Sequence, residues 1–206
     1  ADELARELGH GQHHATEPVW HDQSMRYGVA IDLHVRESSP GEVAWPNIRT
    51  LAQRAEGGGA DLIVLPDHLA YRAGGDGGYA LPDERVGVRE AMTYGAAIAA
   101  ATSTIGLGHS VVNAPYRPPA MLAHQIASLV AISGGRYTPT IGAGNSFDYD
   151  QLGVDGSRRA SGLEECVQVV AELLRSGTAH LEGEHWTTDR AELALRPDPS
   201  PAIMVA

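Results

Sequence analysis

The sequence predicts an α/β protein built on a parallel sheet, and three observations predict it. Apolar runs of strand length alternate with helical patterns from Arg26 onward. The runs are nearly continuous in apolar residues, as strands buried on both faces require. Glycine and proline punctuate the boundaries between them.

In chain order, Arg26–Leu33 reads as the first strand, and Pro40 and Gly41 mark a loop. Trp45–Glu56 reads as an amphipathic helix with Pro46 in its first turn, where a missing N–H is tolerated. Gly57, Gly58 and Gly59 end it, and Ala60–Leu65 is a second apolar strand stopped by Pro66. Residues 67–89 read as a long loop with a glycine-rich centre at Gly74, Gly75, Gly77 and Gly78. A loop of that length in a compact domain is usually functional or disordered.

An alanine-rich helix is expected over Glu90–Thr102 and a third strand over Thr104–Val112. Pro118 and Pro119 open a helix that runs to about Ile132, and Gly134 and Gly135 close it. Arg136–Gly142 is the fourth strand, with Pro139 inside it, where an absent N–H removes a ladder bond. A glycine-rich turn, a helix over Ser157–Arg175, a short hairpin strand over His180–Trp186 and a last strand over Pro201–Ala206 complete the pattern.

Repeated right-handed crossovers lead either to a doubly wound sheet or to a barrel, and periodicity does not choose between them. A full (β/α)₈ barrel takes about 250 residues, more than the 206 here. Residues 1–24 stand apart as a polar extension with His10, His13, His14 and His21, read as a solvated tail; residues 25–206 form the domain.

A net charge of -11 argues against nucleic-acid binding and against anionic membrane surfaces. No apolar run reaches the ~18 residues of a membrane span, and the N-terminus has no signal-peptide core, so the cytoplasm is the expected location. The single cysteine, Cys166, excludes an internal disulfide and reads as a small buried apolar residue on a helix.

In either α/β architecture, functional groups gather at the carboxyl ends of the strands. Those ends carry Asp32 and His34, then Asp67 and His68, then Ser110, Val111 and Asn113, then Gly142, Gly144 and Asn145. A carboxylate beside an imidazole fixes its tautomer and raises its basicity, so Asp67-His68 reads as a proton-transfer pair or as a plain loop cap. Small residues at Ser110-Val111 would let a flat ring lie against the backbone. Gly142-Ala143-Gly144-Asn145 has a G-x-G core but Phe147 where a dinucleotide fingerprint needs its third glycine, and it is not read as opening a helix at once. Asp32, His34, Asp67 and His68 also offer a metal-dependent hydrolase or isomerase, although no third ligand cluster follows the later strands.

Several segments in this order resemble the bacterial luciferase-like family: ADLIVLPDHL (60–69), AAATSTIGLG (99–108), SVVNAPYRPP (110–119), LAHQIASLVAISGG (122–135), RYTPTIGAG (136–144) and QLGVDGSRR (151–159), with the EGEHW hairpin (182–186). The resemblance implies a TIM-type (β/α)₈ barrel with reduced FMN or the deazaflavin coenzyme F420 at its carboxyl face, acting on a small organic substrate. It implies His68 as the catalytic proton-transfer residue. Asp67, His68, Ser110, Val111, Asn113, Gly142, Gly144 and Asn145 would lie about the cofactor, Asp32 and His34 in the substrate pocket, and no metal is implied. A non-proline cis peptide is expected at Ser110-Val111. Ser-Val there is similar to F420-dependent sugar-phosphate dehydrogenases, which carry an acid where this chain has Asn145.

The pattern stops where a fifth strand would stand, so a barrel truncated at about that point is expected. A second copy or a partner chain would then complete it, and a non-catalytic assembly subunit is the alternative to an enzyme.

Overall fold

The computed structural model describes residues 26–41, 43–73 and 84–206. The polar extension at 1–24, with its four histidines, and the glycine cluster at 74–78 lie outside the described residues.

The chain enters through β1 (Gly28–Ala30), shorter than the run of apolar residues suggests, and turns into β2 (His34–Arg36). Helix α1 (Trp45–Gly57) follows with Pro46 in its first turn and buries Ile48 and Ala52. It leads to β3 (Leu62–Leu65), whose Ile63 and Leu65 are buried while Leu62 and Val64 are half-buried, the alternation a strand requires.

Residues 67–89 are not one loop, which corrects the sequence expectation. β4 (Ala70–Ala73) and β5 (Glu84–Val88) pair antiparallel, and β5 also pairs with β2. The three form a small sheet in the order β2-β5-β4. Each run is short and flanks a glycine cluster, so the sequence signal there is dominated by the breaker.

Helix α2 (Ala91–Ala101) starts at Glu90, whose carboxylate accepts from the Met92 and Thr93 N–H groups at 3.3 and 2.7 Å. The third apolar run divides into β6 (Gly106–His109) and β7 (Val112–Asn113), separated by a cis peptide at Ser110-Val111. Helix α3 (Pro119–Ser133) ends on Gly134, left-handed at φ 63°.

The fourth run also divides, into β8 (Tyr137–Thr138) and β9 (Thr140–Gly142), at Pro139, which has no N–H for the ladder. The turn at 142–145 opens a helix directly, contrary to the sequence reading: α4 (Ser146–Leu152) follows Asn145 and stops at Gly153. Helix α5 (Arg159–Ser176) begins two residues later than expected, after a tight turn at Gly156–Arg158. The hairpin has two strands, β10 (Thr178–Glu182) and β11 (Thr187–Glu192). Its turn is pinned by Glu165, which accepts from the N–H groups of Glu184, His185 and Trp186 at 2.8 to 2.9 Å. The last strand, β12, is confined to Met204–Val205.

The parallel strands stand in the order β1-β3-β6-β8, and β7, β9 and β12 continue the wall in the order β12-β9-β7. Neighbours in space follow chain order with no reversal. Helices α1, α2, α3 and α5 pack on one another in succession along the same side. A doubly wound sheet would reverse its order and place helices on both faces, so the described elements form an arc of barrel wall.

The core lies between strands and helices, with Ile31, Leu33, Ile63, Ile98, Leu122 and Ile126 fully buried. Each such side chain contributes roughly 1.5–3 kcal/mol relative to exposure. Cys166 is buried on α5 and burial pushes its thiol up to about 12, so it behaves as an apolar residue. Among the described residues no helix is long and apolar enough to cross a membrane.

Candidate active site

Beyond β3 the chain turns at Pro66, and the next two residues face different partners. Asp67 is buried and is gripped by Arg117 at 2.7 and 3.1 Å, while the Asn113 N–H donates to it at 2.8 Å. The Asn113 side-chain amide donates to the Asp67 carbonyl. Arg117 also donates to Glu90 at 2.6 Å, tying the end of β3 to the start of α2. Burial opposes the charge on Arg117, but the Asp67 carboxylate and then Glu90 hold the guanidinium above its ordinary value.

Asp67 therefore does not steady the imidazole of its neighbour, which corrects the pairing read from sequence. That role falls to Asp148 on α4: His68 Nδ1 lies 3.0 Å from its Oδ2. Asp148 also accepts from the Leu69 N–H at 3.2 Å and is fully buried. The side chain of His68 keeps 24% of its exposure, so the ring remains accessible. Beside this pair, burial and then the Asp148 carboxylate push the Tyr116 phenol well above its ordinary value, which keeps it protonated.

Across from His68, the His34 imidazole pairs with Asp32, whose carboxylate also accepts from the His34 N–H at 2.9 Å. The two imidazole centroids stand 6.1 Å apart. The site thus carries two carboxylate-backed histidines, one at the start of β2 and one just beyond β3.

Two adjoining clefts border them. In one, of about 390 Å³, Ala30, Val64, Leu65 and Pro66 form an apolar stretch of the lining, or floor, and Asp32, His34, Arg36 and Ser110 line it as well. The other, of about 360 Å³, is lined by Asp67, His68, Tyr116 and Arg117 among others. Ser110 begins the cis peptide that the resemblance implied at Ser110-Val111, and its N–H donates to the Leu65 carbonyl at 2.9 Å.

Val111 packs on β9, where a Cβ on Gly142 would overlap Val111 Cγ2. Gly144 is left-handed at φ 83°, and a Cβ there would stand 3.2 Å from Pro115. Asn145 is exposed at the start of α4. The structure thus gathers Asp32, His34, His68 and Ser110, uses Asp67 and Asn113 as internal supports, and sets Gly142, Gly144 and Asn145 outside both clefts.

Asp148, Tyr116, Arg117 and Glu90 were not read from the sequence. The one signal for Asp148 was its place one helical turn past the Gly-Ala-Gly turn. Among the described residues, no three His, Cys, Asp or Glu side chains converge as a metal site.

Comparison with known proteins adds a family. The family described as luciferase-like monooxygenase matches residues 25–206. An uncharacterized protein of Mycobacterium tuberculosis is 30% identical over 167 residues, 75% of this chain and 57% of that protein. The F420-dependent glucose-6-phosphate dehydrogenase of Nakamurella multipartita is 32% identical over 188 residues, 88% of this chain and 50% of that enzyme.

Two solved structures share the fold. The F420-dependent tetrahydromethanopterin reductase of Methanopyrus kandleri superposes with a TM-score of 0.66 at 21% identity, over 87% of this chain and 49% of its own. The FMN-bound oxygenating constituent of 3,6-diketocamphane monooxygenase from Pseudomonas putida does so with a TM-score of 0.65 at 21% identity, over 88% and 51%. The chain spans about half the length of these relatives.

Proposed function

The chain belongs to the luciferase-like monooxygenase family, and on that premise we propose that it provides the cofactor and substrate wall of an oxidoreductase using FMN or coenzyme F420. The observation that carries the reading is His68, a carboxylate-backed and accessible imidazole beside an apolar floor at the carboxyl end of β3.

The floor fits a flat polycyclic ring. Ala30, Val64, Leu65 and Pro66 offer small or apolar surface, and Ser110 places no bulk against it. Such a lining, apolar with a few polar side chains in it, is the usual chemistry of a cofactor pocket. When bound, the cofactor supplies the redox step: oxygen insertion for FMN or hydride transfer for F420.

The protein's own residues then have distinct tasks. The apolar floor excludes water. Asp32 and His34 face His68 across the cleft and orient a small organic substrate. His68 gives or takes the proton that must move as the substrate's oxygen changes state. Asp67, Arg117 and Asn113 hold the strand ends in register beneath it.

Titration of the full chain with FMN and with F420, followed by absorbance and fluorescence, tests the reading. Saturable binding of one cofactor is the expected result, with His68→Ala lowering turnover by about 10²–10⁴-fold and leaving the cofactor Kd within a few-fold. Folded protein that binds neither cofactor would contradict it.

A further inference from the structure

Three consecutive residues after β3 are held by one short helix. Asp148 on α4 takes the His68 ring at 3.0 Å and the Leu69 N–H at 3.2 Å, and the Gln151 side-chain amide donates to the Ala70 carbonyl. Residue 148 lies 80 positions from His68, on the helix that follows β9.

The geometry points to Asp148 as the positioning residue of the site: it fixes His68 in the tautomer that carries its proton on Nδ1. This rests on the proposed function for its consequence in turnover, but not for the tautomer itself. A carboxylate only accepts hydrogen bonds. The nitrogen facing Asp148 must therefore donate, and in the neutral ring Nε2 is then the basic nitrogen. Proton exchange with a substrate O–H takes place at Nε2. The O–H bond breaks with its electron pair left on oxygen, and the Nε2–H bond forms while Nδ1 keeps its proton on the Asp148 side.

Residue 145 precedes α4, and one turn of that helix brings residue 148 to the cleft side, against His68. The neighbouring groups are Tyr116 beside the carboxylate, the Asp32–His34 pair across the cleft, and the Asp67–Arg117–Glu90 cluster beneath.

The test is ¹⁵N NMR of the full chain labelled at histidine, at a pH well above the ordinary histidine range of about 6.5. The His68 signals are assigned by their loss in His68→Gln. The expected spectrum shows Nδ1 protonated and Nε2 unprotonated in the native chain, and loss or reversal of that preference in Asp148→Asn. In turnover, Asp148→Asn lowers kcat by at least ~10-fold with the cofactor Kd unchanged.

A native spectrum with the proton on Nε2, or an Asp148→Asn spectrum identical to the native one, would overturn the assignment. The native spectrum alone decides the tautomer even where the variant does not fold. Absent cofactor binding with the stated tautomer would overturn the proposed function and leave the Asp148–His68 pair standing.

Discussion

Arg117 holds Asp67 through two guanidinium nitrogens, at 2.7 and 3.1 Å, and both side chains are buried. The same guanidinium reaches Glu90, the residue that caps α2. Three elements of the wall therefore meet on one cation beneath the candidate site.

Removing that cation leaves a buried carboxylate unpaired. Arg117→Met is expected to destabilise the fold by about 3–5 kcal/mol, read as a lower midpoint in urea unfolding. Arg117→Lys keeps the charge but not the two-point geometry and falls between the two. A change below ~1 kcal/mol for Arg117→Met would show that the cluster does not hold the strand ends.

Gly142 and Val111 should behave as a pair. A Cβ at position 142 would overlap Val111 Cγ2, so Gly142→Ala is expected to destabilise by about 1–3 kcal/mol. Val111→Ala in the same chain should recover part of that loss. Additive effects in the double-mutant cycle would contradict the packing.

At the opposite end of the wall, Glu56 accepts from the N–H groups of Ser103, Thr104 and Ile105 at 2.7, 2.6 and 3.1 Å. These bonds, led by those from Thr104 and Ser103, lower its carboxyl from 4.5 to about 2. A carboxyl lowered in the folded state contributes stability above its unfolded value and loses it as pH falls toward the folded one. Glu56 is only half-buried, so solvent screening reduces the effect to about 1 kcal/mol. Glu56→Gln should be less stable than the native chain at pH 7, and the gap should close between about pH 4.5 and pH 2. A gap that persists at pH 2 would contradict the assignment.

His109 faces away from the cleft, its Nδ1 2.8 Å from the Tyr137 hydroxyl and its Nε2 3.2 Å from the Ala91 carbonyl. Burial lowers its ionisation below the ordinary value. The unfolded chain then takes up a proton before the folded one, so stability should fall as pH drops below about 6.5. His109→Phe should flatten that part of the pH–stability curve, followed by thermal melting from pH 8 to pH 5.

The sequence made the wall readable wherever an apolar run was long and bounded. Ala60–Leu65 and the α3 segment needed nothing beyond periodicity and their flanking glycines and prolines. The divisions at Ser110-Val111 and Pro139 fell inside such runs, and the second was visible because proline lacks the ladder donor. The small antiparallel sheet was hidden because its strands are short and flank a glycine cluster.

The site was harder to read. Asp67 and His68 are adjacent in sequence, yet successive residues of extended chain point to opposite sides, so adjacency gave the wrong carboxylate for His68. The right one, Asp148, sits on a seven-residue helix too short for a clear 3.6-residue pattern. Its 80-residue separation leaves no spacing rule that would pair the two.

The proposed ring cofactor would lie on the floor formed by Ala30, Val64, Leu65 and Pro66. The most direct measurement is a fluorescence titration of the full chain and of Ala30→Leu with FMN and with F420. Ala30 is exposed at the floor, so the larger side chain fills the cleft without disturbing the core. Saturable binding of one cofactor to the native chain is expected, and binding at least ~10-fold weaker to Ala30→Leu. Equal affinity in both proteins, or no binding to the folded native chain, would contradict it.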